Sequence, residues 1–568
     1  MRKRWIAVAR GDEAPDLVLS GGSVLSVFTG EVFRADVAIA DGHVVGVGEY
    51  SGGAEIDVGG KYLVPGFIDG HCHIESSKLN VDEFARAVVP AGTTTVVIDP
   101  HEMANVLGVR GIEYMLEASK GLPLGVYVMI PSCVPASEFE SPAAPLEAYD
   151  FAELLQRQRV IGIAELMDYP SAIAGRSGVL SKMAMTGYRR IDGHAPGVKG
   201  RELNAYIVSG PSSDHECTTL EEALEKRRLG MWVMIREASM IRNLVDLLPM
   251  VQKHGTENTM FVTDDREAGT LLDEGHMNAI VRKAVKNGLS AGDAVKMASL
   301  NVARYHGLQG QGAIAPSYEA DILVLPDLAE FRPEMVFKRG ELVAENGTAR
   351  HFESPAVPSE VVSTVHLAPT RGADFCTPAS GEGTIRVVDI VRDQVVTAAG
   401  TATPTVRDGM IVADPARDLA KLAVVERHHA SGRMGKGFVR GFGLQEGAMA
   451  STVAHDAHNV VVAGVSDDDM AAAVNHLAEI GGGLAVALKG KVLGDLPLEI
   501  GGLMSRLDAA SVAGKIAELE AILKRLGIGL ETPFMYLSFL ALSVIPEMRV
   551  TDRGIVDVRT FQVVPLGI

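Results

Sequence analysis

The stretch PGFIDGHCHIESS, residues 65–77, decides how the rest of the chain is read. His71 and His73 lie two apart at the end of an apolar run that begins at Phe67. Side chains two apart on a strand point the same way, so both imidazoles can reach one cation while Cys72 between them turns into the wall. An HxH pair alone also fits two ordinary core or surface histidines. Later predicted strands strengthen the case, because their ends too carry residues able to ligate a metal. Glu165 ends VIGIAE, His194 ends RRIDGH, His215 sits in SGPSSDH and Asp264 in MFVTDD.

From about residue 66 to 306, apolar strand-like runs alternate with amphipathic helical segments, the pattern of βα units around a parallel sheet. Eight candidate strands end near Asp69, Asp99, Ser132, Glu165, His194, His215, Arg236 and Asp264. In the intervening ASMIRNLVDLLPMV, Ile241, Leu244, Val245 and Leu248 recur at helical spacing and predict one packing face. The expected fold class is α/β, with residues 66–306 a TIM-type (β/α)8 barrel. Catalytic side chains of such barrels come from the C-terminal ends of several strands, which would bring these ligand candidates to one mouth.

Residues 1–65 and 307–356 are β-rich and punctuated by Gly and Asp, as in LVLSGGSVLSV and ADILVLPDL. Each piece is too small to bury a core alone, so they are expected to pair as two parts of one small β-sandwich into which the barrel is inserted. After the Pro-rich ESPAVPSE, residues 365–568 are expected to form a separate α+β domain, with helices in DMAAAVNHLAEIGGG and AGKIAELEAILKRLG.

Bulk properties exclude several functions. With 53 Lys and Arg against 72 Asp and Glu, the net charge of −19 repels phosphate backbones and anionic lipid, so nucleic acid and membrane are not expected partners. The longest apolar run, Phe534 to Ile545, falls far short of the ~20 residues that span a bilayer. Cys72, Cys133, Cys217 and Cys376 are scattered without CxxC spacing, which suits a reducing cytoplasm.

Beyond the HxH run, AGTTTVVIDPHEMANVLG, DGHAPG, LNAYIVSGPSSDHECTT and EGAMASTVAHDAHN span nearly the whole chain. With these strings the chain resembles the amidohydrolase superfamily and, within it, the bacterial adenine deaminases. The resemblance implies hydrolytic deamination of adenine to hypoxanthine and ammonia, in purine salvage, by a metal-bridging hydroxide. It implies metal ligation by His71, His73, Glu165, His194, His215 and Asp264. Glu165 takes the place where many relatives carry a carboxylated lysine, as the bridging carboxylate. Asp264 becomes the proton carrier, and with Glu165 makes up the catalytic pair. So large a ligand set predicts two divalent ions per chain. The family suggests Mn or Fe, while imidazole and carboxylate together suit Zn equally.

The same strings put Asp99, His101, Glu102, Asn105, Ser212 and Ser213 forward as contacts to the purine, together with Glu237 after the seventh strand; helix capping is the competing reading for any of them, Asp99 before Pro100 being the best placed. HDAHN (His455, Asp456, His458, Asn459) and ERHHASG (His428, His429) read as structural turns rather than metal sites, and HDAHN is expected to reach the barrel mouth. The expected partners are a small-molecule purine base and further copies of the chain in a homo-oligomer. The competing readings are another amidohydrolase, acting on a different nucleobase or a cyclic amide, and an inactive barrel serving as a binding subunit.

Overall fold

Eight strands carry the segment that bears the HxH run: β1 (Phe67–Cys72), β2 (Thr93–Ile98), β3 (Gly125–Ile130), β4 (Val160–Leu166), β5 (Arg190–Gly193), β6 (Ser213–Asp214), β7 (Trp232–Arg236) and β8 (Thr259–Val262). The computed structural model describes residues 2–379, 381, 383–392 and 394–568. Strands β1 to β5 form one parallel sheet and β6 to β8 another, each in sequential order. Hydrogen bonds join the sheets on both sides. The Ser212 amide donates to the Ile191 carbonyl at 2.9 Å beside β5 and β6, and the Asp264 amide donates to the His71 carbonyl at 3.0 Å where β8 meets β1. Strand β6 is short, and Pro211, two residues before it, has no amide to donate there.

The strands are buried on both faces, which accounts for their nearly unbroken apolar runs. Ile68, Val97, Met129, Ala164, Met234 and Met260 pack together on the inside with Val302. Their strand neighbours, among them Phe67, Val96, Val128, Ile163 and Ile235, face outward onto the helices. Gly70 belongs to the inner packing, where an added Cβ would lie 3.1 Å from both the Met260 sulfur and a Val302 methyl. The helix after β7 runs Leu244–His254 and buries Leu244 and Leu248. Two residues depart from the predicted face. Val245 is 50% exposed, and Ile241 falls before the helix and lines a cavity instead.

The flanking β-rich pieces pair as one nine-stranded sheet. Tyr62–Pro65 lies antiparallel to Ile322–Leu325, with Leu63 opposite Val324 and Val64 opposite Leu323. Leu19, Val37, Leu63, Ile322, Val324 and Phe337 form its own core. Later in the chain an eight-stranded sheet includes Leu419–Val425, Val460–Gly464 and Gly483–Leu488. Helices Asp467–Glu479 and Ala509–Arg525 pack there, and their N-caps Ser466 and Asp508 accept from the amides of Asp469 (3.3 Å) and Ser511 (2.9 Å). The short helix Pro533–Phe539 is fully buried and brings its C-terminal end to the mouth of the eight strands. No helix among the described residues is long and apolar enough to cross a membrane.

Candidate active site

All six ligand candidates sit at or just beyond the C-terminal ends of β1, β4, β5, β6 and β8, and all are buried. His71 and His73 stand with ring centroids 4.8 Å apart, and Cys72 between them is buried in the outer core. Glu165 is central. Its Oε2 lies 2.6 Å from His194 Nδ1 and 3.2 Å from His215 Nε2, and its Oε1 lies 3.5 Å from His73 Nε2. Asp264 closes the other side, with Oδ1 at 3.3 Å from His71 Nε2 and 3.2 Å from His73 Nε2. The fully buried Asp69 ties the ends of β1 and β8 together, accepting from the amides of His71 (3.3 Å) and Thr263 (3.2 Å).

This donor set fits a divalent cation. His71, His73 and Asp264 present ligand atoms within 4.8 Å of one another, as do His71, Glu165 and His215. His71 Nε2, buried and without a hydrogen-bond partner, and the carboxylate-facing His73 Nε2, His194 Nδ1 and His215 Nε2 are what an imidazole ligand set needs. His73 Nδ1 lies 2.9 Å from the Asp99 carbonyl, an acceptor that leaves Nε2 to face the carboxylates. Burial and the neighbouring His215 push His71 down to about 4, so its ring is a neutral ligand. Burial works against ionisation of Glu165, but His194 and His215 outweigh it and hold the carboxyl well below its usual range. Burial likewise opposes the charge on Asp264, and Arg236 with His71 and His73 overcomes it. The ring protons that balance these carboxylates are the ones a bound cation would replace.

The other sequence candidates divide into those at the cavity and those beneath it. His101 lines the cavity, with Nδ1 3.5 Å from Asp99 Oδ2 and 3.8 Å from Glu165 Oε1. Asp99 caps nothing: the helix His101–Leu107 has Pro100 at its N-cap, and both Asp99 oxygens lack hydrogen-bond donors. Glu102 accepts from Ser76 Oγ at 2.8 Å, and Asn105 Nδ2 donates to the His101 (3.0 Å) and Cys133 (3.2 Å) carbonyls. Ser212, Ser213 and Glu237 are not brought to the cavity. Ser212 Oγ lies 3.0 Å from the Tyr305 hydroxyl, and Ser213 Oγ donates to Asp192 at 3.2 Å. Glu237 accepts from the Leu244 amide at 2.9 Å and pairs with Lys283 at 2.6 Å.

Several cavity residues were not singled out in the sequence. Arg236 forms a two-nitrogen pair with Glu216 and also reaches Asp264 Oδ2 at 3.0 Å. Met167, Asp265, Phe539, Leu542 and Ile545 join them at the cavity. HDAHN does reach the mouth, where His455 and Asp456 line the cavity and Asp456 Oδ1 lies 3.5 Å from His101 Nε2. His428 and His429 stay away from it: His428 Nε2 lies 2.7 Å from the Ala457 carbonyl, and His429 is half-exposed. A larger hollow lies at the opposite, N-terminal end of β3 around Arg159 and Lys338, and it holds none of the ligand candidates.

Residues 62–343 match the model of the amidohydrolase family, and residues 394–562 match that of the adenine deaminase C-terminal domain. Over 567 residues the chain is 48% identical to adenine deaminase 2 of Carboxydothermus hydrogenoformans, covering 100% of this chain and 99% of that protein. The chain belongs to the adenine deaminase family. Its similarity to the adenine deaminase of Desulfatibacillum aliphaticivorans is 45% identity over 99% of each chain, and to that of Clostridium acetobutylicum 42% over 98% of each. Among solved structures it is similar to a β-aspartyl dipeptidase from Fervidobacterium islandicum (TM-score 0.46, 17% identity, 60% of this chain and 99% of that one). A D-hydantoinase gives TM-score 0.45 at 14% identity, over 59% and 96%. Adenine deaminase relatives thus match through the C-terminal part, which in this chain supplies His455, Asp456 and the segment 539–545 to the cavity.

Proposed function

We propose that this chain hydrolyses adenine to hypoxanthine and ammonia, in purine salvage, at the cavity where His71, His73, Glu165, His194, His215 and Asp264 converge. The observation that carries the reading is this convergence in a chain alike over its full length to adenine deaminases. The two parallel sheets, joined on both sides by main-chain hydrogen bonds, act as one closed (β/α)8 barrel (66–306) held in a β-sandwich (1–65 and 307–356) and roofed by an α+β domain (365–568). The setting is cytoplasmic and the assembly a homo-oligomer.

The six residues would hold two divalent ions, Mn or Fe, with Glu165 shared between them because it alone reaches His73, His194 and His215. When bound, such ions lower the pKa of water toward neutrality and so supply a nucleophile at physiological pH. The chain's own residues then set direction and proton flow. Water oxygen bonds to C6 as the C6–N6 bond breaks. Of the two water protons, one ends on N1 of hypoxanthine and the other leaves in ammonia. Asp264, ionised and turned toward His71 and His73, takes the proton that passes to the departing amine. Arg236 fixes the second Asp264 oxygen and keeps the carboxylate aimed. The apolar residues from the C-terminal part exclude bulk water, which strengthens each of these electrostatic contacts.

The test is ammonia release by the Mn-loaded protein from a panel of free bases and nucleosides. Adenine is expected to be the substrate; release from another base or a nucleoside but not from adenine would overturn the reading.

A further inference from the structure

Four side chains of the C-terminal part, Val395, Phe539, Leu542 and Ile545, bring only hydrocarbon to the cavity, beside His455 and Asp456 from the same part. These four come from two separate segments, and one side chain gathers them. Arg549, fully buried, donates from Nη1 to the Phe539 carbonyl (2.8 Å), from Nε to Ile545 (2.8 Å) and from Nη2 to Val395 (2.6 Å) and Pro546 (3.1 Å). Each of these partners is a carbonyl, and burial pushes the guanidinium down to about 9. A desolvated cation whose donors are spent on the backbone of this wall fixes where the wall stands.

We propose that Val395, Phe539, Leu542 and Ile545, pinned by Arg549, are the specificity-determining wall for the N9 edge of the purine, and exclude substrates that carry a substituent there. This rests on the adenine deaminase reading. With C6 beside Glu165 and Asp264, N9 lies at the far end of the bicyclic ring and faces the apolar side. A ribosyl group at N9 would push into this hydrocarbon, and the hydroxyls beside Phe539 and Leu542 in the chain are committed. Ser538 Oγ donates to the Met535 carbonyl at 2.8 Å, and Ser543 Oγ to Glu140 at 3.2 Å. Each sugar hydroxyl left unpaired would weaken binding by about 10- to 100-fold. Phe539 is itself held flat against His455, with ring centroids 4.7 Å apart and planes 15° from parallel, so the wall cannot simply swing aside.

The experiment compares kcat/KM for 9-methyladenine with that for adenine in the Mn-loaded parent and in Ile545→Ala, Val395→Ala and Arg549→Lys. Trimming the wall is expected to raise the ratio at least fivefold in Ile545→Ala and Val395→Ala. Val395 is half-buried, so its variant reports even where Ile545→Ala folds poorly. Arg549→Lys keeps the charge but cannot bridge both segments, and should raise the ratio chiefly through a lower KM for 9-methyladenine. A change below fivefold in Val395→Ala, and in Ile545→Ala where it folds, would overturn the proposal; an unchanged ratio in Arg549→Lys would overturn the pinning. A parent that releases no ammonia from adenine would instead refute the underlying reading, and the two failures are distinct.

Discussion

Asp456, 355 residues further along the chain, stands with Oδ1 3.5 Å from Nε2 of His101, whose other ring nitrogen faces Glu165. Both side chains are buried, and the described structure offers Asp456 no hydrogen-bond donor of its own. The C-terminal part therefore reaches toward Glu165 through a histidine ring. Asp456→Ala should lower kcat/KM for adenine by about 10- to 100-fold while metal content stays at the parent level. Unaltered kinetics would show that His101 needs no such support.

Glu165→Gln tests the shared ligand. A neutral amide cannot balance two cations as a carboxylate does, so the variant should bind less than the parent's full complement of metal, and activity should fall with it. Elemental analysis checks this. Full metal content together with full activity would contradict the role given to Glu165.

How much of this was legible from residues alone follows from strand geometry. His71, His73, Glu165, His194, His215 and Asp264 could be read because each stands at the end of a predicted strand, and strand ends converge in a barrel. Glu237 was put forward because it follows Arg236, but neighbours on a strand point to opposite sides. Arg236 turns into the cavity, and Glu237 turns out to Lys283 and the Leu244 amide. Ile241 was placed on a helix that starts only at Leu244, since spacing does not mark where a loop ends. The wall from Phe539 to Ile545 read only as an apolar run. Nothing in local pattern says that it meets residues near 165 and 264, because that contact depends on how the C-terminal sheet docks.

Glu426 supports the ERHHASG turn. Its carboxylate accepts from the amides of His428 (2.5 Å), His429 (2.8 Å) and Ser431 (3.1 Å), and from the Ser431 hydroxyl (2.6 Å). Burial opposes its charge, yet these donors outweigh it and lower the pKa from 4.5 to about 2. A depressed carboxylate contributes stability above its unfolded value and loses it as pH falls through the folded one. Glu426→Gln should cost about 1–3 kcal/mol at pH 7, and the difference from the parent should shrink between about pH 4.5 and 2. Denaturant unfolding across that range checks it; a difference independent of pH would rule out the charge.

The most direct test of the account is single-residue replacement of its proton carrier. Asp264→Asn keeps the size of the side chain and its place between His71, His73 and Arg236 but removes the base. Turnover of adenine should fall at least ~10²-fold, with a much smaller change in binding of a purine analogue. Metal content is measured on the same sample, because loss of an ion would mimic loss of the proton carrier. A variant that retains the parent's metal and is slowed to that extent supports the mechanism. One that retains the metal and deaminates adenine at close to the parent rate contradicts it.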